Sequence, residues 1–296
     1  MIGLLLLYVW AILAGTAAAP GLAILGVQLA TRDRAMQILC IGQGALLGVL
    51  LGIGLLQGEV GNLMGTVGPF LSALLVSSLT YAITESTIRE KAASKNTTFA
   101  FIFGLLIAVS HLVSALFPGL ESHMSQIYFG DLATLSVFDS KVMLGASLVF
   151  LATLLLMTKA VSRNSFESAV FGKILSESGQ RTDRIFKFLT LAVLCLSVQF
   201  VGFLFTITVL FIPTAITSQL RARGLTLHLA LCGALASTAT VGGFLLSLWE
   251  SSLPTVPSIV FLLFLEGMAV LGIEKLMLFR KSRQQVRVPV TSEGMA

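Results

Sequence analysis

The chain has 296 residues, of which 56% are hydrophobic and 11% are charged, with a mean hydropathy of +0.95 and a formal net charge of +5. Water-soluble domains carry about 25% charged residues, and a single soluble core has no room for so much apolar surface. The composition therefore excludes an ordinary soluble protein and predicts a chain whose apolar exterior lies in lipid.

Nine apolar segments follow one another along the chain, most of them close to the length of about 20 residues that a helix needs to cross a bilayer. They lie at 3–30, 38–57, 65–84, 97–117, 138–158, 188–202, 203–219, 225–249 and 257–278. The first has no basic residues before it and no small-residue cleavage site, so we interpret it as a retained span and not as a signal peptide. The sequence predicts an all-α, polytopic transmembrane bundle of eight or nine helices.

The number of helices depends on the segments 188–202 and 203–219, which together form one apolar stretch of 32 residues. Such a stretch is too long for one crossing and short for two. We expect a span followed by a short return helix, with a break near Gly202.

Basic residues determine the predicted orientation, because cytoplasmic loops carry an excess of Lys and Arg. With the 31–37 loop in the cytoplasm, 18 of the 19 basic residues lie inside and only Lys141 lies outside. The short return helix is needed for this result, since without it Arg221 and Arg223 would lie outside. The N-terminus is then predicted to be extracytoplasmic and the C-terminus cytoplasmic, in a cell (inner) membrane.

The chain is predicted to consist of a transmembrane domain, 1–279, and a basic tail, 280–296, which is expected to be disordered beside anionic lipid. The polar insert 159–187 is the longest predicted cytoplasmic loop. Its segment 166–179 can form a short amphipathic helix that ends at Gly179. Such a helix could receive force from a separate ATPase or lie on the lipid surface.

A membrane enzyme is the main alternative to a transport protein, and it would need catalytic motifs. The sequence contains no HExxH, GxSxG or GxxxxGK[ST] motif, so it provides no P-loop of its own for ATP. The three cysteines form no CxxC pair and are interpreted as small buried hydrophobes. Glu266, near the middle of the last span, is either a cation contact on a transport path or a hydrogen-bonded packing residue.

Four short motifs stand in order along residues 20–275. They are Ala45-Leu46-Leu47-Gly48-Val49, Tyr128-Phe129-Gly130-Asp131-Leu132, Phe200-Val201-Gly202 with Leu204, Ile212-Pro213 and Ala215, and Gly242-Gly243 with Pro257-Ser258. In these motifs the chain resembles the permeases of metal-ion (zinc, manganese, iron) ABC importers. The resemblance implies a permease that translocates a divalent metal ion of the zinc or manganese class and binds no cofactor of its own.

The resemblance also implies partners and roles for residues. The partners are a cytoplasmic ABC ATPase dimer, an extracytoplasmic solute-binding protein and a second permease copy in a homodimer, with no nucleic acid. Translocation-pathway residues are expected at Gln43, Cys40, Gly44, Pro213 and Thr214, with Glu266 as an outside candidate. Segment 166–179 becomes the coupling helix, with ATPase contacts at Phe166, Glu167, Lys173, Glu177 and Gly179.

The chain departs from the family at the family's Asp-x-x-x-His pair, which reads Leu39 and Gln43 here. Leu39 has no ligating atom, and Gln43 offers one neutral carbonyl oxygen, a poor replacement for imidazole at a zinc site. Either the ligands lie elsewhere or the substrate is not a bare zinc or manganese ion. A self-standing secondary transporter or exporter is the alternative function, although the duplicated halves common in that class are not visible.

Overall fold

The computed structural model describes residues 2–55, 63–87, 92–117, 119–130, 132–171, 174, 176–220, 224–250 and 252–285. These residues form ten α-helices and one 3₁₀ turn, η1 (Leu132–Thr134), with no strand among them. The helices are α1 (Ile2–Ala30), α2 (Ala35–Leu55), α3 (Leu63–Thr87), α4 (Ala92–Leu116), α5 (Leu120–Phe129), α6 (Val137–Phe171), α7 (Glu177–Phe200), α8 (Phe203–Thr217), α9 (Leu225–Trp249) and α10 (Thr255–Gln285).

Seven helices, α1, α2, α3, α4, α6, α9 and α10, are long and apolar enough to cross a membrane. The predicted all-α, polytopic bundle is therefore confirmed. The helix that the sequence did not predict is α5, which has ten residues and includes Glu121 and His123. Its polar residues and its length keep it below any threshold for a span, and it brings the described helices to ten rather than eight or nine.

The predicted break near Gly202 is confirmed between α7 and α8. Gly202 has φ +99° and Gly130, at the end of α5, has φ +77°, both in the region that favours glycine. A Cβ on Gly202 would lie 2.5 Å from the Cα of Gly130. The two glycines therefore allow the α7–α8 turn to pack directly against the end of α5.

The predicted short helix 166–179, ending at Gly179, is wrong, and two long helices occupy most of the segment 159–187. The cytoplasmic position of this segment stays a prediction. Helix α6 continues to Phe171, and α7 begins at Glu177 after the N-cap Ser176, whose Oγ accepts a hydrogen bond from the Gly179 amide. Gly179 thus lies in a first helical turn. A Cβ there would lie 2.7 Å from a methyl group of Ile174, so packing accounts for this glycine and a C-cap does not.

The structure describes only the first part of the predicted tail, 280–296. Helix α10 runs to Gln285, so residues 280–285 continue the last helix, and residues 286–296 lie outside the described part of the chain. The domain boundary after residue 279 stays a prediction.

Helix α2 lies at the centre of the bundle. Of its apolar window, 78% is buried inside the chain, against 22% for the windows of α3, α4 and α6. A Cβ on Gly48 would lie 2.5 Å from the Cα of Ala73, and Ser72 Oγ donates to the Gly48 carbonyl over 2.7 Å. The glycine stripe of α2 therefore brings its backbone against α3.

The two ends of the bundle are named by the helices that finish there. The end at which α1, α3, α6 and α8 finish is called the basic end. The end at which α2, α4, α7 and α9 finish is called the opposite end. Helix α7 starts at the basic end, and α8 returns to it.

Candidate functional site

Gln43 is the most deeply buried amide of the bundle core. Its side chain is 0% exposed, and its Nε2 donates to Ser110 Oγ of α4 over 3.4 Å. Its Oε1 is buried without a hydrogen-bond partner in the described structure. An unsatisfied buried acceptor costs about 1–3 kcal/mol, so a carbonyl oxygen in the protein centre is available to a polar guest.

Further small polar side chains lie along the same stretch of α2, where it packs against α3, α4 and α7. Cys40 Sγ donates to the Phe99 carbonyl over 3.2 Å, and Cys195 Sγ donates to Ser77 Oγ over 3.4 Å. A Cβ on Gly44 would lie 2.5 Å from Thr80 Oγ1, so this glycine admits the hydroxyl to α2. We call the set Cys40, Gln43, Ser77, Thr80, Ser110 and Cys195 the core polar cluster.

The core polar cluster carries no formal charge. It offers hydroxyl, thiol and amide groups, and contains no carboxylate or imidazole. Within the described ranges, no group of three or more His, Cys, Asp or Glu residues is placed to hold a metal ion. The cluster therefore lacks the ligands of a tight metal site.

A network of charged side chains lies at the basic end of the bundle. Asp183 of α7 accepts from Arg32 Nη1 over 2.5 Å and lies 3.1 Å from Lys187 Nζ. Lys187 Nζ also lies 3.5 Å from Glu85 of α3. The Arg32 guanidinium lies 4.8 Å from the ring centroid of Phe186. These contacts tie the α1–α2 turn to α3 and α7.

Glu85 joins the same network to α2. Arg34 Nη1 donates to Glu85 Oε2 over 2.7 Å and to Gln37 Oε1 over 3.0 Å, and Gln37 Nε2 donates to Glu85 over 3.1 Å. We call the set Arg32, Arg34, Gln37, Glu85, Asp183 and Lys187 the basic-end network. Gln37 lies less than two helical turns before Gln43, so the network connects directly to the core helix.

Burial and attraction act against each other on the cations of this network. Burial alone would lower the pKa of Lys187, but the charges of Asp183 and Glu85 outweigh it, and the pKa is raised. The same holds for Arg34. Burial alone would lower its pKa, but the hydrogen bond to Glu85 and the charge of Glu85 outweigh burial, and the pKa is raised. Both side chains are therefore firmly protonated, and the ion pairs persist at neutral pH.

The residues expected to contact an ATPase lie at the same end. Phe166 is 67% exposed, and Glu167 lies 3.6 Å from Arg163 one turn earlier. Glu177 is exposed in the first turn of α7, and Gly179 is buried. Lys173 lies outside the described residues. Asn164 Nδ2 donates to the Gly179 carbonyl over 2.8 Å, which fastens α6 to the beginning of α7.

The other expected pathway residues do not meet Gln43 within one chain. Pro213 and Thr214 are buried on α8, a turn before Thr217, whose Oγ1 lies 2.9 Å from Cys232 Sγ of α9. Glu266 accepts from Thr238 Oγ1 over 2.8 Å, between α9 and α10. The residues expected on the pathway therefore occupy three separate places.

Two features of the structure escaped the sequence analysis. One is the basic-end network, for which the only local signal is the spacing of Asp183 and Lys187, one helical turn apart. The other is a polar cavity of about 200 Å³ at the opposite end, to which α5 contributes His123 and Gln126. No local pattern marks it, because its walls come from α2, α3, α5, α6 and α7.

Comparisons with known proteins give one family match and two similar solved structures. Residues 6–271 match the model of a family described as the ABC 3 transport family. No curated protein matches the sequence significantly. The structure of PsaBC from Streptococcus pneumoniae in complex with Fab is similar, with a TM-score of 0.71 at 17% identity over 88% of each chain.

A second solved structure is described as an inward-facing conformation of a metal-chelate type ABC transporter. It matches with a TM-score of 0.58 at 18% identity, over 90% of this chain and 85% of the other. At these identities the likeness establishes the fold alone.

Proposed function

Because the chain belongs to the ABC 3 transport family, we propose that it is the permease subunit of an ABC importer that translocates a divalent metal ion of the zinc or manganese class. The match over residues 6–271, nearly the whole transmembrane part, is the observation that carries the proposal. In the proposed assembly, two permease copies span the inner membrane, an ATPase dimer binds the basic end, and a solute-binding protein delivers cargo to the opposite end.

The distribution of charge supports this orientation. Four ion-paired or hydrogen-bonded basic side chains, Arg32, Arg34, Lys95 and Lys187, lie at the basic end, which we place in the cytoplasm. There the exposed Phe166 and Glu177 would meet the ATPase. The bond from Asn164 to Gly179 and the pairs of Asp183 then offer a rigid route from the ATPase contact to α2.

The chemistry of the core supports a weak and transient passage. A permease must release its cargo, so the cargo must not be held too tightly along the path. The core polar cluster presents one unpaired amide oxygen and several hydroxyls, which can replace part of a hydration shell. Alternating access would open this cluster to one side of the membrane at a time.

A metal chelate is the second candidate cargo. The absence of a carboxylate or imidazole in the core polar cluster favours a cargo whose metal already carries its own ligands. The structural neighbour described as a metal-chelate type transporter has the same fold. The two cargos differ in whether a chelator abolishes or enables uptake.

The proposal is tested by reconstituting the permease with its ATPase in proteoliposomes and measuring uptake of Mn²⁺ and Zn²⁺ in the presence of the binding protein. We expect uptake that requires both ATP and the binding protein. Uptake only of a preformed chelate would select the second cargo. Uptake that follows an ion gradient and needs no ATP would contradict the importer and indicate a secondary transporter.

A further inference from the structure

A polar cavity of about 200 Å³ opens at the opposite end of the bundle. Its floor includes Val49 and Ile53 of α2, and its polar walls come from four other helices. The polar residues that line it include Thr66, His123, Gln126, Ser136, Asp139 and Gln199. We call this space the opposite-end cavity. None of these six residues belongs to the pathway expected from the sequence.

The two amides of the cavity are oriented by the protein. Gln199 Nε2 donates to the Thr66 carbonyl over 2.8 Å, and Gln126 Nε2 donates to Thr134 Oγ1 over 2.8 Å. One hydrogen of each amino group is therefore used, which fixes the amide plane and leaves the carbonyl oxygen to offer. Gln199 Oε1 is shielded from solvent and has no partner in the described structure. Each amide thus presents its carbonyl oxygen to the cavity as an acceptor and keeps one further N–H.

Asp139 adds a negative charge to the same wall. Its carboxylate accepts from Ser136 Oγ over 2.7 Å and from Thr66 Oγ1 over 3.4 Å. Among the ion pairs of the described residues none involves Asp139. The imidazole of His123, when neutral, contributes one further nitrogen acceptor.

Helix capping explains only part of this arrangement. The Asp139 amide donates to Ser136 Oγ over 3.0 Å, and the carboxylate accepts from the same hydroxyl, so the pair forms a cap at the start of α6. One carboxylate oxygen is thereby used. The cap accounts neither for the oriented amide oxygens nor for a cavity of this volume beside them.

We propose that the opposite-end cavity is the receiving site for a divalent cation that keeps part of its water shell, which rests on the importer function proposed above. Carboxylate, amide oxygen, water and one imidazole form a ligand set that suits a hard cation such as Mn²⁺. The cavity is large enough to hold several water molecules beside a cation. Binding there needs no complete dehydration.

The position of the cavity fits an entry step. Val49 and Gln43 are six residues apart on α2, which corresponds to about 9 Å along the helix axis. A cation that leaves the cavity along α2 would therefore next meet the core polar cluster. The family's aspartate and histidine are absent at positions 39 and 43 of this chain. In the proposal, Asp139 and His123 of the opposite-end cavity take over their role nearer the surface.

The test measures Mn²⁺ binding to the purified full-length permease in nanodiscs by electron paramagnetic resonance, without ATPase or ATP. Asp139→Asn should weaken binding at least tenfold, whereas Ser136→Ala, which removes the cap but keeps the carboxylate, should stay within a factor of about two of the unmodified protein. Gln126→Glu adds a carboxylate on an exposed residue and should tighten binding about tenfold. Asp33→Asn, which removes an exposed carboxylate at the basic end, should leave it unchanged.

Three results would overturn the proposal. They are equal losses from Asp139→Asn and Ser136→Ala, equal losses from Asp139→Asn and Asp33→Asn, and no saturable Mn²⁺ binding by the unmodified permease. Because the assay uses no ATP, it separates the cavity from the importer function. Binding without ATP-driven uptake would count against the importer, and uptake with unaltered Asp139→Asn binding would count against the cavity alone.

Discussion

At the scale of single residues, Gln43 combines complete burial with an unpartnered oxygen, a state that stability alone does not favour. We predict that Gln43→Ala lowers the free energy of unfolding by about 2 kcal/mol, because the cavity it leaves outweighs the removal of the unsatisfied acceptor. ATP-driven metal uptake should fall about tenfold, since the guest loses its amide oxygen.

The control for Gln43 is Ser110→Ala, which removes the other partner of the same 3.4 Å hydrogen bond. It should leave more uptake than Gln43→Ala does. Thermal unfolding in detergent and uptake in proteoliposomes measure the two effects. A large loss of stability with normal uptake per folded molecule would show that Gln43 serves packing.

Gly48 illustrates a residue whose smallness is required by its neighbour. A Cβ there would lie 2.5 Å from the Cα of Ala73 and 2.6 Å from the Ser72 carbonyl oxygen. Gly48→Ala should therefore push α2 from α3 and lower the free energy of unfolding by about 1–3 kcal/mol. Gly145→Ala on α6, where nothing lies within 4 Å, is the matched control and should be neutral or stabilising. Equal melting temperatures for both variants would contradict this reading.

At the scale of helices, the basic-end network holds α7 against α3 and the start of α2. The side chains of Arg32 and Asp183 are 8% and 11% exposed, so removing one partner leaves a poorly solvated charge. Asp183→Asn should cost about 3 kcal/mol. It should also let the ATPase hydrolyse ATP with less metal transported per ATP, because the route from the Gly179 turn to α2 is broken.

The control for Asp183 is Asp33→Asn. Asp33 is 91% exposed in its pair with Lys95 and has φ +52°, a conformation that asparagine also tolerates. That exposed pair is worth about 0–1 kcal/mol. Parallel measurements of unfolding, ATP hydrolysis and uptake distinguish the pairs. Unchanged coupling in Asp183→Asn would contradict the assignment.

The pH dependence of the network follows from the raised pKa of Lys187. A cation whose pKa is raised by folding stabilises the fold fully below its ordinary value of 10.5 and loses that contribution only above it. The contribution of Lys187 to stability should therefore be constant across the neutral range and fall only in strong alkali. Unfolding measured against pH, with Lys187→Met as the reference, checks this expectation.

At the scale of the whole molecule, the proposed orientation places the basic end in the cytoplasm. The three native cysteines are buried, so a new surface cysteine gives a clear signal. Phe166→Cys should react with a membrane-impermeant maleimide only in inside-out vesicles, and Ser252→Cys, exposed in the α9–α10 turn, only in right-side-out vesicles. The reverse pattern would overturn the orientation and the position of the ATPase.

The apolar exterior is unevenly covered in a single chain. Helix α3 exposes Val67, Leu71, Leu75, Leu79 and Ile83 at a spacing of four residues, a stripe that needs lipid or another chain beside it. The second permease copy stays a prediction, because an apolar stripe fits either neighbour.

Hydropathy and charge by themselves determined the membrane class, nearly all the long helices and the break at Gly202, because span length and helix-breaking residues are local properties of the chain. They could not show that α6 extends to Phe171 and that α7 begins at Glu177, within the expected loop 159–187. A polar helix outside the membrane has no hydropathy signal. Only the tertiary structure decided which polar groups meet. Arg32 and Asp183 are 151 residues apart in sequence, and the opposite-end cavity draws on five helices, so both exist only through packing.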